Sequence, residues 1–324
     1  MTSTQGPRRR LAAGMMRTAR AVNRSRLVRT VLGGRSVRRL PLVNRLYHLV
    51  FRVGMAAGGR DVEARYRGVV LAGPAWDRTI MPSVSAGYYE EFEVGVFERL
   101  AAASTSILDV GANIGVYACT GAACLPPEGR LIAFEPVPEN LGYLRRNVEV
   151  NGLDDRVTVE PMAVGAAPGE LTLHLSNEQS GKHSAAAANA GESVSAVTVP
   201  MTSIDAYLAG NPAADPEIIK IDVEGYEGFA LRGAAETLAG RPTLLFELHP
   251  ELQANCGCDA DQLLDLVFDR YPWVFLVDEL TNRLRACTRV DLDEPGAVGL
   301  YRSNLVAIGR REHLDAVSPW HDLS

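Results

Sequence analysis

The chain of 324 residues is long enough for one large domain with attachments, and its 47% apolar and 22% charged residues describe a globular protein with a sizeable core rather than a disordered or fibrous one. The formal net charge of −6 hides an asymmetry: residues 1–60 hold fourteen Arg and no Lys, Asp or Glu, so a basic arm precedes an acidic globule that phosphates would repel, which argues against nucleic acid as a partner. The five cysteines are odd in number and scattered, which speaks against a disulfide framework, and no apolar run approaches the roughly 18 residues that a membrane span needs.

Within the arm, Arg8-Arg9-Arg10 precedes an apolar stretch that is cut at Arg17. That stretch is shorter than the ~7–15 residues of a cleavable signal, so a cytoplasmic location is expected. Pro41 sits where a helix begins. After it Leu42, Leu46, Leu49, Val50 and Val53 share one helical face and Arg45, His48 and Arg52 the other. Such a basic amphipathic helix suits peripheral contact with an anionic membrane surface; capping of the main domain, or a solvated arm, is the plainer use. The expected organisation is a basic arm over 1–60, a cap segment over 61–104, a main domain over 105–311 and a tail over 312–324.

From residue 105 strands alternate with helices. Ser106–Val110, Arg130–Glu135, Val157–Val164, Glu217–Val223 and Thr243–Leu248 are short apolar runs that read as strands. Helical patterns follow the turn after the first run and then span Pro138 to Asn151-Gly152, Phe229–Leu238 and Asp261–Arg270. Trp273–Val277 and Asn304–Ile308 supply two more strands. This alternation predicts an α/β domain with a mainly parallel central sheet and helices on both faces. Residues 166–203 interrupt it: Leu171–Leu175 and Val197–Val199 read as an inserted hairpin around an Ala/Ser/Gly-rich loop, Ser180–Ser193, with a mobile tip.

The segment Asp109-Val-Gly111-Ala-Asn113-Ile-Gly115 follows the first strand. Gly111 and Gly115 let the backbone turn tightly and approach a ligand without a side chain in the way, and the next helix offers unpaired N–H groups. Glu135, at the end of the second strand, is placed to accept bonds from both hydroxyls of a ribose. A dinucleotide and S-adenosylmethionine both suit such a turn. The G-x-G-x-x-G fingerprint is absent, and Asp109 would repel a pyrophosphate but suit the amino group of a methionine moiety.

These blocks resemble the FkbM-type methyltransferases. The resemblance spans residues 66–250 and rests on ILDVGANIG (107–115), AFEPVPENLGYLRRNVEVNG (133–152), TSIDAYL (202–208), IIKIDVEGYEGFALRGA (218–234) and LLFELHP (244–250), in that order. It implies a Rossmann-like class I methyltransferase fold, S-adenosylmethionine as methyl donor, and a hydroxyl on a sugar, lipid-linked glycan or small metabolite as acceptor. By motif match Asp109, Gly111, Asn113, Gly115 and Glu135 would contact the cofactor. A nicotinamide-dependent oxidoreductase, or a non-catalytic membrane-associated module, is the alternative.

Ligands of open parallel sheets bind at the carboxyl ends of the strands. There the fourth strand ends Lys220-Ile-Asp222-Val-Glu224, and the fifth ends Glu247-Leu-His249. Alternation puts Lys220, Asp222 and Glu224 on one side, and Glu247 with His249 on one side. A positioned His or carboxylate would take the proton of an attacking hydroxyl, which makes Asp222 and His249 the leading candidates, with Glu224 and Lys220 beside them; a structural network, Lys220 with a carboxylate and Glu247 bonded to His249, is the plainer use of the same residues. A divalent cation among Asp222, Glu224 and His249 is a second version. Tyr88, Tyr89 and Glu90 are placed to close the pocket from the N-terminal side, and His183 is expected as an exposed loop residue.

Overall fold

The structure, a computed structural model, describes residues 51, 60–191, 193–211, 214–293 and 303–321. The basic arm and its amphipathic stretch over 41–53 lie outside these residues, apart from Phe51, which is buried in the core, and Arg60.

Two strands open the described chain, β1 (Asp61–Tyr66) and β2 (Val69–Pro74). They pair antiparallel across Arg67-Gly68, both at positive φ, +47° and +95°, the backbone that a two-residue hairpin turn with right-handed strand twist demands. Helices α1 (Ile80–Ala86) and α2 (Glu91–Ala101) follow. The alternating region then gives β3 (Ser106–Val110), α3 (Val116–Cys124), β4 (Arg130–Phe134), α4 (Pro138–Val150) and β5 (Val157–Glu160). The run expected as one strand over 157–164 is split: after Pro161 the chain forms a separate two-residue strand, β6 (Ala163–Val164), because proline has no N–H for the ladder. The insertion is β7 (Gly169–Ser176) and β8 (Ser193–Thr202), and β6, β8 and β7 make a small sheet of their own.

The second half supplies α5 (Ile204–Gly210), β9 (Ile218–Ile221), α6 (Glu227–Arg232), β10 (Thr243–Leu248), α7 (Pro250–Asn255), α8 (Ala260–Phe268), β11 (Trp273–Asp278), β12 (Arg283–Ala286), α9 (Arg289–Asp293), β13 (Ser303–Ile308) and α10 (Arg311–Ala316). The helix expected to run to Leu238 stops at Arg232, since the backbone at Gly233 lies against Gly165, whose carbonyl oxygen would be 2.1 Å from any Cβ there.

Eight strands form the main sheet in the order β12-β11-β13-β10-β9-β3-β4-β5. From β5 to β10 neighbours are parallel; β13 enters antiparallel between β10 and β11. This is the mainly parallel arrangement that the resemblance implies, with the order reversing between β3 and β9. Strand alternation serves two cores. Ile107, Ile218 and Leu245 pack on one face with α2, α3 and α4, while Leu108, Ile219 and Leu244 pack on the other with α5, α6 and α8. Among the described residues no helix is long and apolar enough to cross a membrane, and all five cysteines are free thiols.

The N-terminal hairpin is joined to this domain through two asparagines one turn apart on α4. Asn147 takes the Ala72 N–H at 2.7 Å and gives its amide to the Ala72 and Ile114 carbonyls. Asn151 pairs with the N–H and C=O of Val70 in the same way. The side chains act as a substitute strand for the edge of β2, a use of spacing i, i+4 on a helix face.

Candidate functional site

The reversal between β3 and β9 leaves a crevice at their carboxyl ends, where ligands of such sheets bind. The chain leaves β3 through Gly111 at φ +80°, and a Cβ there would lie 1.9 Å from the Asp222 carbonyl oxygen. Backbone meets backbone at this point, so only glycine fits. The N–H groups of Gly111 and Ala112 both donate to the Phe134 carbonyl, at 3.0 and 2.9 Å. Asn113 is also left-handed, φ +53°, and Gly115 caps α3 at φ +89°.

Glu135 is 4% exposed. One of its oxygens accepts the Asn113 N–H and the other the Val137 N–H, both at 2.8 Å. Burial pushes its carboxyl up to about 7, against the opposing pull of those N–H groups. Glu135 lines a narrow cleft of about 70 Å³ together with Gly111, Asn140, Val164, Ser180 and Tyr226. Two buried polar atoms in this wall, Asn140 Oδ1 and Ser180 Oγ, have no hydrogen-bond partner among the described residues.

The roof of the cleft comes from the insertion. The loop expected to have a mobile tip is packed down along its first part: the Ser180 carbonyl accepts the Asn113 and Asn140 side-chain amides at 2.9 and 3.2 Å, and the Ser180 N–H donates to buried Asp77. His183 is half-buried rather than exposed. Its Nδ1 accepts the Ser176 N–H, and burial holds its pKa down to about 4, so the ring is neutral.

A second, polar cavity of about 280 Å³ adjoins the cleft, with Glu90, Lys220, Asp222, Glu224, Glu247 and Asn304 on its walls. The two share Gly111, Asn113, Gly181, Asp222 and Glu224. Lys220 is 4% exposed. Its ammonium lies 3.5 Å from Asp109 Oδ1 and 3.6 Å from Asp222 Oδ2, and 4.7 Å over the ring of Tyr117. Burial alone would favour a neutral amine, but Asp109 and Asp222 outweigh it and raise its pKa. Lys220 is therefore a fixed cation rather than a base.

This pairing gives Asp109, expected to meet the amino group of a methionine moiety, a partner within the chain. Its carboxylate is wholly buried and lines neither cavity; the ammonium it meets belongs to Lys220, because the parallel register of β3 and β9 sets the two residues side by side. His249 is likewise displaced. The chain turns as β10 ends at Leu248, and the His249 ring caps α7, its Nδ1 accepting the Leu252 N–H at 3.4 Å. It lines neither cavity, whereas Glu247 does. Glu224, left-handed at φ +52°, still reaches both cavities although the extended alternation stops at Ile221.

The carboxylates that approach one another are not the expected set either. Oxygens of Asp222, Glu227 and Glu247 lie within 4.8 Å of each other, with Glu227 and Glu247 in place of Glu224 and His249. Glu227 is fully buried and already accepts the N–H groups of Val223 and Gly225 and the Gln253 amide. It holds the turn that carries Glu224, and the acidic trio alone assigns no cation.

Asn140 and Glu227 belong to this site although strand alternation does not mark them, and Glu90 lines the polar cavity itself. Asn140 recurs at helical spacing with buried Leu144 and Asn147, a polar residue on an apolar stripe. Glu90 directly precedes α2, at φ +38°.

The family described as Methyltransferase FkbM domain matches residues 109–288. Hexuronic acid methyltransferase AglP of Haloferax volcanii is 30% identical over 146 residues, 44% of this chain and 54% of the relative, so the chain spans about half the length of that curated protein. Among solved structures, a tRNA (uracil-54, C5)-methyltransferase of Pyrococcus abyssi in complex with S-adenosyl-L-homocysteine aligns with a TM-score of 0.41 at 14% identity, over 77% of this chain and 44% of that one. A SAM-dependent O-methyltransferase of Thermotoga maritima aligns with a TM-score of 0.37 at 14% identity, over 69% and 67%. Both structural likenesses are loose.

Proposed function

The chain belongs to the FkbM methyltransferase family, and from that membership we propose that it moves the methyl group of S-adenosylmethionine onto a hydroxyl oxygen of a sugar or sugar-bearing small molecule. The observation that carries this reading is the junction at Asp222, where a cleft ending on a buried carboxylate opens into a polar cavity.

The cofactor fits the residues present. Gly111 lets β3 turn against the Asp222 backbone and so opens the cleft it lines. Each Glu135 oxygen accepts one N–H and keeps a lone pair for a ribose hydroxyl. The unpartnered Asn140 Oδ1 and Ser180 Oγ are buried polar atoms of the kind that a ligand satisfies. When bound, S-adenosylmethionine supplies a methyl carbon on a positively charged sulfur.

The chain's own groups then have distinct tasks. Gly111, Asn113 and Glu135 hold the nucleoside end, while Gly115, which lines neither cavity, turns the chain into α3 against Leu144. Lys220 fixes Asp222 at the junction, where its carboxylate orients the acceptor hydroxyl. Glu90, Glu224 and Glu247 add negative field, which favours a cationic donor. The segment over 180–185 excludes water from above. Alignment of the two reactants is the largest contribution, roughly 7–11 kcal/mol when geometry is in line. The sugar acceptor rests on the likeness to a hexuronic acid methyltransferase and on cavity walls rich in hydrogen-bonding groups.

Calorimetric titration with S-adenosylhomocysteine tests the reading, with micromolar binding expected and Glu135→Ala weakening it at least tenfold. Incubation of radiolabelled cofactor with extract of the source cell then identifies the product. Protection against thermal unfolding by NAD but not by S-adenosylhomocysteine would overturn the assignment.

A further inference from the structure

We infer that Glu90 is the group that receives the acceptor's hydroxyl proton, an inference that rests on the methyltransferase reading above. Glu90 lines the polar cavity, and its backbone is left-handed, φ +38° and ψ +49°. A residue with a Cβ adopts that conformation at a cost, and such residues gather at functional sites. The surroundings hold it there: the Val94 N–H donates to the Glu90 carbonyl at 2.9 Å, and the Tyr66 hydroxyl bonds the carbonyl of Tyr89.

Its carboxylate is half-engaged. Oε2 accepts the Tyr117 hydroxyl at 2.8 Å, which fixes the plane of the group and, among the described residues, leaves Oε1 to the cavity. Four neighbouring acids are committed elsewhere, while Glu224 and Glu247 share the cavity wall with Glu90. Asp109 and Asp222 face the Lys220 ammonium, Glu227 caps the turn over 223–225, and Glu93 is bonded by the Asn304 amide. An adjacent cation makes a carboxylate a weaker base; among the described residues Glu90 has no such contact partner.

The groups that act on Glu90 come from several elements. Burial pushes its carboxyl up to about 7, the Asp222 charge adds to this, the Tyr117 hydroxyl and Lys220 pull it down, and Glu279, which receives the N–H groups of Phe92 and Glu93, raises it again. A base balanced near neutral pH is the efficient kind. In the step itself a lone pair of the acceptor oxygen forms the new C–O bond. The C–S pair stays on sulfur, the O–H pair stays on oxygen, and the proton goes to Glu90 Oε1, to be lost later to solvent. One positive and one negative charge are neutralised together.

The test compares Glu90→Gln and Glu90→Asp with wild type on the full chain. Glu90→Gln is expected to bind S-adenosylhomocysteine within about threefold of wild type and to lose at least ~100-fold in transfer of labelled methyl to the acceptor in source-cell extract, with Glu90→Asp between the two. Wild-type transfer rises with pH through about 7. Tyr117→Phe removes a donor that favours the carboxylate, so it moves this limb to higher pH. Without any ligand, the infrared absorption of protonated carboxyls falls over the same pH range in wild type, and Glu90→Gln lacks the Glu90 share of that change while Glu135, also held near 7, keeps its own. Transfer by Glu90→Gln within fivefold of wild type overturns the inference, as does an unmoved limb in Tyr117→Phe. A tenfold loss of S-adenosylhomocysteine affinity in Glu90→Gln also overturns it, because it assigns Glu90 to the cofactor's ammonium. Wild-type protein that fails to bind S-adenosylhomocysteine sinks the methyltransferase chemistry proposed above, a result distinct from an active Glu90→Gln.

Discussion

Replacing Lys220 by Met removes the one ammonium that the structure sets between Asp109 and Asp222, at 3.5 and 3.6 Å. Asp109 is 0% exposed, so no solvent reaches it to compensate. Removal of one partner from a buried pair costs about 3–5 kcal/mol, and at roughly 2–4 °C per kcal/mol for a large domain the melting temperature falls by about 6–20 °C at pH 8. The cost depends on pH in a definite direction. Burial already pushes the Asp109 carboxyl up even with Lys220 beside it, and without the lysine it rises further. A carboxyl whose folded pKa lies above its unfolded value takes up a proton more readily in the native state. Its stabilising contribution is complete below the unfolded value and is lost as pH rises through the folded one. The gap between wild type and Lys220→Met is therefore narrow near pH 5 and widest at pH 8. Urea unfolding at both values measures it. The double variant Asp109→Asn/Lys220→Met, which leaves no charge at that position, recovers part of the loss. A gap below 1 kcal/mol at pH 8, or one that does not change with pH, would refute the pairing as a source of stability.

Two further substitutions probe the scaffold around the site. Gly111→Ala puts a Cβ 1.9 Å from the Asp222 carbonyl at a φ of +80°; because the obstacle is backbone, stability drops by at least ~2 kcal/mol and S-adenosylhomocysteine binding is lost with it, read by urea unfolding and calorimetry. Asn147→Ala removes three hydrogen bonds of 2.7–2.8 Å and leaves the Ala72 N–H buried without a partner, a loss of about 2–4 kcal/mol that shows as faster amide exchange along β2 than along β3.

Much of the fold was legible because it is written in local patterns. Ser106–Val110 and Thr243–Leu248 fall where apolar runs bounded by polar residues predict strands, and α4 begins at Pro138 and ends before Asn151-Gly152 as its stop signals require. The misses have physical causes. The β1–β2 hairpin carries the right alternation, with Val62 and Tyr66 buried on one strand and Val69 and Leu71 on the other, but its turn is Arg67-Gly68 rather than the Asn-Gly or Asp-Gly that marks such turns most strongly. The four-residue β12 is an edge strand with one buried residue, Leu284; a pattern needs more than one apolar position to be seen.

Of the candidate site, the turn after β3 was legible because backbone geometry decides it. Gly111 and Gly115 can be read from the chain because a left-handed turn at the end of a strand demands glycine whatever surrounds it. Side-chain partnerships obey a different rule. Asp109 and Lys220 are 111 positions apart in sequence and become neighbours through the lateral register of β3 on β9, which alternation along either strand leaves undetermined. A shift of that register by one residue would turn Lys220 to the opposite face and open Asp109 to an ammonium from outside, as the motif alone suggests. His249 fails for the converse reason: two-residue alternation holds only while a strand continues, and β10 stops one residue short of it. The same turn leaves Glu247 on the cavity wall with Asp222 and Glu90. The charges of this site are thus distributed by strand pairing and strand length, and a substitution that alters either moves the chemistry without touching a motif residue.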